Sequence, residues 1–220
     1  FGRALALTPE AADLHLGLSL ALSGQGKPAE ALEAARKGHA VQPGDIELAT
    51  HLGHLLNAGT PAERVEAEAV FRAVLAQHPG TGRALLGLSS VLAAQGEMAQ
   101  ALGLAQRAMT RLPGDLDALA WLARLLLDSG HEERAERMFR RVLRLAPRRA
   151  DGYLGLADTL RATGRQAKAI AMLDQGLARL PEEPALVARR AALTAPPPPP
   201  RRRLPRWMRW VRWPFGRARR

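Results

Sequence analysis

His51 and His54 stand three residues apart, close enough to share one face of a helix, and imidazole is a common metal ligand. A zinc site needs three or four ligands, and the surrounding sequence suggests no third, so no metal is expected. With no cysteine in the chain, thiolate metal sites, disulfide frameworks and cysteine nucleophiles drop out together. No glycine-rich phosphate loop, no G-x-S-x-G and no meaningful Ser/His/Asp order is present. Asp45 and Asp115 each lie two residues after a proline, where a carboxylate caps the following helix rather than exchanging protons. The expected catalytic set is therefore empty, no cofactor is implied, and the chain reads as a non-enzyme, with a catalytic domain upstream of residue 1 left open.

The other chemically loaded stretch is residues 201–220, RRRLPRWMRWVRWPFGRARR, with nine arginines, three of the four tryptophans and no acid. Removing its nine charges from the net +11 leaves +2 for residues 1–195, so the basicity of the chain belongs to this tail. Wound as a helix at about 100° per residue, it would put Leu204, Trp207, Met208, Trp210 and Val211 on one face and Arg206, Arg209 and Arg212 opposite, with Trp213 on the wrong side. Arg206, Trp207, Arg209, Trp210, Arg212 and Trp213 are thus the candidates for contact with an anionic membrane surface, where tryptophan suits the headgroup region and arginine the surface charge. Nucleic acid is the weaker alternative, through arginine on phosphate and tryptophan stacked on bases. A disordered end, or GC-rich DNA read out of frame, is the plain one, since arginine outnumbers lysine 29 to 3.

The elements that would position such residues are helical. Gly114 to Pro147 holds two helices and one turn: about Leu116 to Asp128, with Leu119, Leu122, Leu126 and Leu127 on one face, and about Glu132 to Leu145, striped by Ala135, Met138, Phe139, Val142 and Leu143. Ser129 and Gly130 break the first, and Pro147 stops the second. One hairpin cannot bury both stripes, and the sequence supplies more of them. Proline recurs at 9, 43, 79, 113, 147 and 181, in steps of 34, 36, 34, 34 and 34, and a fixed period of this size means a solenoid. Twelve residues before successive prolines stand Ala31, Ala67, Ala101, Ala135 and Ala169, and eight before stand Ala35, Phe71, Ala105, Phe139 and Leu173. First helices pair a leucine with a small residue at Leu18-Ser19, Leu52-Gly53, Leu88-Ser89, Leu122-Ala123 and Leu156-Ala157, and the turn glycines are Gly26, Gly96, Gly130 and Gly164. Two extra residues between Asn57 and Glu66 are expected to lengthen a turn, because the register returns at Ala67.

This pattern resembles the tetratricopeptide repeat family, whose unit reads W-x2-L-G-x2-Y, then A-x3-F, then P. Tyr153-x2-Leu156-Ala157-x2-Leu160 and Ala135-x3-Phe139 followed by Pro147 are the nearest pieces, although most aromatic slots hold aliphatic residues. The resemblance implies an all-α, right-handed superhelical solenoid of antiparallel helix hairpins, about eleven to twelve helices ending near Leu193, that binds a protein or peptide partner in a concave groove. In such arrays the first helices line the groove. Carried onto this sequence, that face holds Glu47, Thr50, His54 and Asn57, then Arg83, Leu86 and Ser90, then Asp117 and Arg124, then Asp151, Asp158 and Arg161. Asn57, Arg83, Arg124 and Arg161 offer the best hydrogen bonds to a peptide backbone or carboxylate. His51 is expected to pack between repeats. Leu16 and Leu20 stand where arrays that grip chaperone tails carry Lys and Asn, which argues against that ligand class.

The expected organisation is the end of a truncated preceding repeat over 1–9, five repeats over 10–43, 44–79, 80–113, 114–147 and 148–181, a capping helix over 182–195, and a spacer and tail over 196–220 that opens with the polyproline run 196–200. Phe1 falls eight before Pro9, so the chain is expected to begin mid-repeat and to be a fragment of a longer protein. The compartment is open, with a cytoplasmic or peripheral membrane location favoured. A partner-binding scaffold is the first functional expectation. The second is an accessory repeat region of a larger enzyme or membrane-assembly protein, anchored by its tail.

Overall fold

Proline and glycine set where the helices stop, and the register of alanine sets how they pack. The computed structural model describes residues 11–195, and among these it holds eleven helices and no strand. They are α1 (Ala12–Gly24), α2 (Pro28–Val41), α3 (Ile46–Asn57), α4 (Pro61–Gln77), α5 (Gly82–Ala94), α6 (Met98–Arg111), α7 (Leu116–Asp128), α8 (Glu132–Leu145), α9 (Ala150–Ala162), α10 (Gln166–Arg179) and α11 (Pro184–Thr194). The half-repeat expected over 1–9, the proline spacer, and the tail with Arg206, Trp207, Arg209, Trp210, Arg212 and Trp213 lie outside the described residues.

Each odd-numbered helix through α9 is joined to the next by three residues. In four of these turns the third-from-last helical carbonyl is reached by the residue after a glycine, as in His131 N–H to Leu126 O at 2.8 Å and Arg165 N–H to Leu160 O at 2.8 Å. That closure requires a left-handed residue, and Gly26, Gly96, Gly130 and Gly164 supply it with φ of 72°, 88°, 72° and 74°. The α3–α4 turn is built differently. Thr60 Oγ1 accepts from Glu63 N–H while the Glu63 carboxylate accepts from Thr60 N–H, and Pro61 begins the helix. The two extra residues do not lengthen this turn, contrary to the sequence expectation. They extend α4 to 17 residues, where α2, α6, α8 and α10 have 14, because the capping box lets the helix start a turn earlier. Asp45 and Asp115 cap α3 and α7 through Leu48 N–H and through Asp117 and Ala118 N–H, all at 2.9 Å.

Ala31, Ala67, Ala101, Ala135 and Ala169 are fully buried between the two helices of their hairpins, where a larger side chain would hold the helices apart. The slot four residues later follows a two-repeat rhythm. Phe71 and Phe139 fill it in alternate hairpins, and each ring presses on a glycine sixteen residues on, so that a Cβ at Gly87 or Gly155 would overlap it. Where the slot holds Ala35 or Ala105, the position sixteen on carries a ring instead, His51 or Trp121. Large and small residues thus trade places across the first four junctions, while the fifth slot holds the fully buried Leu173 with Arg189 sixteen on. Every second helix packs on the first helix of the next hairpin, and α11 closes the series by seating the fully buried Leu186 against α9 and α10.

Candidate functional site

Consecutive first helices touch directly at α1–α3, α3–α5, α7–α9 and α9–α11, whereas consecutive second helices pack nowhere so closely among the described residues. In a curved stack the closer-spaced layer lies inside the bend, so the first helices form the concave face. The α5–α7 junction is the looser of the five, and there Trp121 reaches across: its Nε1–H donates to Ser89 Oγ at 2.9 Å, while Ser89 donates to Ala101 O at 2.7 Å. Ser19 repeats the arrangement, donating to Ala31 O at 2.7 Å and lying 2.9 Å from His51 Nε2. Because the Ser19 proton is committed to a carbonyl, the imidazole must be the donor, which fixes a proton on Nε2. His51 therefore packs between hairpins.

Between α1 and α7 the groove widens into two adjoining pockets that share His54 and Arg83. One, of about 540 Å³, lies between α1, α3 and α5 and is walled by Leu16, Leu20, Ile46 and Leu112, with Glu47 and Thr50 also lining it. The other, of about 400 Å³, brings together His54, Asn57, Arg83, Leu86, Ser90 and Asp117 from the expected face with Asp115 and Trp121. Asn57 Nδ2 donates to Ser90 Oγ at 3.0 Å, and the His54 ring meets Phe71 edge-on at 5.2 Å between centroids. Burial pushes the pKa of His54 below the ordinary value, helped by the charges of His51 and Arg83; burial also lowers that of His51 against a smaller opposing pull from Glu47. Both rings are therefore mainly neutral at pH 7. Arg83 pairs with no carboxylate among the described residues.

The C-terminal half of the same face is occupied by its own charges. Arg149 bridges Asp117, at 2.8 Å, and Asp151, and hydrogen bonding to these carboxylates raises its pKa. Asp158, 5% exposed, accepts from Arg189 at 2.7 Å and from Arg124 at 3.3 Å, and Arg124 also reaches Asp128. Asp117, Arg124, Asp151 and Leu154 line a smaller pocket of about 330 Å³ beside Trp121. Arg161 is exposed near the end of α9 and lines none of these three pockets. Trp121, Arg149 and Arg189 escaped the sequence reading; the sixteen-residue offset from Ala105 would have flagged the first. His51 and His54 meet no third ligand, since no group of three His, Cys, Asp or Glu side chains converges among the described residues, and no helix there is long and apolar enough to cross a membrane.

A tetratricopeptide repeat family profile matches residues 1–44, 65–115 and 122–184, and a second profile of the same description matches 92–147. No curated protein matches the sequence significantly. Among solved structures, a thermophilic tetratricopeptide protein from Thermus thermophilus aligns with a TM-score of 0.73 at 20% identity, covering 83% of this chain and 98% of its own. PilW, a type IV pilus biogenesis factor, aligns at 0.73 and 22% identity, covering 86% of each chain. YrrB, described as having an unusual peptide-binding site, aligns at 0.59 and 21% identity over 86% of this chain and 96% of its own. These likenesses establish the right-handed superhelical solenoid of helix hairpins.

Proposed function

Because the chain belongs to the tetratricopeptide repeat family and is a protein-interaction repeat scaffold, we propose that it holds an extended segment of a partner protein along the concave first-helix face, chiefly over the first three hairpins. The repeats run over 10–181 in this reading, with 182–195 as the cap. The observation that carries it is the contrast in hydrogen-bond accounting along the groove. Asn57 offers its remaining amide N–H and its carbonyl, and Arg83 offers a guanidinium with no carboxylate partner among the described residues, whereas Arg124 is paired with Asp158 and Asp128, and Arg149 with Asp117 and Asp151. The peptide-binding site that names YrrB supports the reading by analogy of fold. Quantitative recovery of partners from lysate on the tagged full chain tests it. Arg83→Glu combined with Asn57→Ala should lose the partners that wild type and Arg161→Glu both retain; equal recovery by all three removes the groove assignment.

A second reading concerns residues 201–220, whose nine arginines and three tryptophans without an acid suit an anionic membrane surface. It makes the array an accessory region of a larger enzyme or membrane-assembly protein. The full chain should co-sediment with anionic but not neutral vesicles, and a chain ending at Ala195 with neither. Equal sedimentation of the two chains, or displacement of the full chain from vesicles by low concentrations of duplex DNA, rejects the anchor.

A further inference from the structure

Among the described residues, Thr50 is a buried polar group of the groove that no other group serves. It is 5% exposed, its Oγ1 has no hydrogen-bond partner, and it lines the 540 Å³ pocket between α1, α3 and α5. The other buried hydroxyls among the described residues are all satisfied: Thr159 of α9 donates to Gly155 O four residues back at 2.7 Å, and Ser19 and Ser89 donate to Ala31 O and Ala101 O. A buried hydroxyl with no partner carries its full desolvation cost, so its presence beside an open pocket marks a place where a ligand completes the bonding. The remaining walls describe that ligand. Leu16, Ile46, Leu112 and the half-exposed Leu20 (50%) ask for a large apolar body. Glu47 and Arg83 stand in the same lining with opposite signs, so the lining has no net charge with which to select an anion or a cation, and a neutral polar group suits it. The Arg83 cation, with no carboxylate of its own, also favours the face of an aromatic ring.

We infer that this pocket receives a tyrosine side chain of the partner segment, its ring among Leu16, Leu20 and Ile46 and its phenol hydroxyl bonded to Thr50 Oγ1. This rests on the groove as the partner site and specifies what the groove selects. The Thr50 oxygen is itself buried in its present rotamer, and the bond calls for a turn about χ1 that carries it into the staggered well facing the pocket, which leaves the helix backbone in place. Phenylalanine would fill the same walls and leave the hydroxyl orphaned. Tyrosine does not, because a phenol both donates and accepts.

The test uses p-cresol and toluene as side-chain probes on the isotopically labelled full chain, followed by amide chemical shifts. Wild type should bind p-cresol about fivefold more tightly than toluene, the worth of one neutral hydrogen bond, with the shifts centred on Thr50, His51, His54 and Gly82. Thr50→Val, which replaces the unserved hydroxyl with a methyl, should raise Tm, keep toluene binding and remove the preference. No response at those residues, or a preference that survives Thr50→Val, overturns the tyrosine assignment. Failure here with partner recovery still dependent on Arg83 and Asn57 removes only the tyrosine, whereas a p-cresol site with recovery indifferent to those residues removes the groove.

Discussion

The two halves of the concave face are built from the same repeat and treat their polar groups in opposite ways. Over α7, α9 and α11, Asp117, Arg149, Asp151, Arg124, Asp158 and Arg189 form a ladder in which each carboxylate meets at least one guanidinium. Over α1, α3 and α5 the corresponding surface carries Leu16, Leu20, an unpaired Arg83, two mainly neutral histidines and an orphaned Thr50. The lesson is that exposure on the concave side does not make a residue available. A charge that has already exchanged water for a partner offers little to a third party, while an unserved hydroxyl and a bare cation gain from one.

The contrast can be broken most severely at the junctions that hold each half in shape. Gly155→Trp should collide with the Phe139 ring and destabilise by at least about 1–3 kcal/mol, and Phe139→Ala should cost about 3–5 kcal/mol. The double variant recreates the Ala105 and Trp121 arrangement one junction further along and should recover at least about 1 kcal/mol relative to the sum. Additive losses in denaturant melts would mean that the two-repeat exchange of volume is coincidence. A smaller effect separates the halves by their polar accounting. Asp158→Asn should destabilise by about 1–2 kcal/mol, discounted because Arg124 and Arg189 are 47% and 38% exposed and can turn to water. Thr50→Val, in the N-terminal half, should instead raise Tm slightly.

Acid sharpens the same comparison. The folded pKa values of His51 and His54 lie below the ordinary 6.5, so the unfolded chain takes up protons first as pH falls. Their contribution is fully present above pH 6.5 and is lost as pH falls through the folded values. Hydrogen exchange between pH 7.5 and 5.5 should therefore loosen α1, α3 and α5 before α9 and α10; uniform loosening would contradict the placement of the neutral rings. Smallest of all, Arg161→Ala should leave stability within about 0.5 kcal/mol of wild type.

Much of this architecture was legible in the sequence, because period and register are local signals. The boundaries expected for Leu116–Asp128 and Glu132–Leu145 are those observed, and the four turn glycines named from the sequence are the four with positive φ among the described residues. The extra residues before Ala67 were misplaced because a longer turn and a longer helix restore the register equally well; only the Thr60–Glu63 capping box decides between them. The groove was harder. Asn57, Arg83, Ser90 and Asp117 share a pocket as their helical face implied, but nothing in a single repeat shows that Asp158 will be held by Arg189 of α11, or that Arg149, in the loop before α9, will claim Asp117. Those pairs join residues more than thirty positions apart, from neighbouring hairpins. Trp121 was passed over because its role depends on Ala105 sixteen residues earlier leaving room for a ring.

The division of the groove is tested most directly by photo-crosslinking. A benzophenone amino acid placed at Leu20, in the N-terminal pocket, or at Leu154, beside the Asp117–Arg149–Asp151 cluster, should report which half the partner lies against. A partner adduct at position 20 that is absent or much weaker at position 154 is the predicted result, and an adduct at position 154 equal to or stronger than that at position 20 would contradict it.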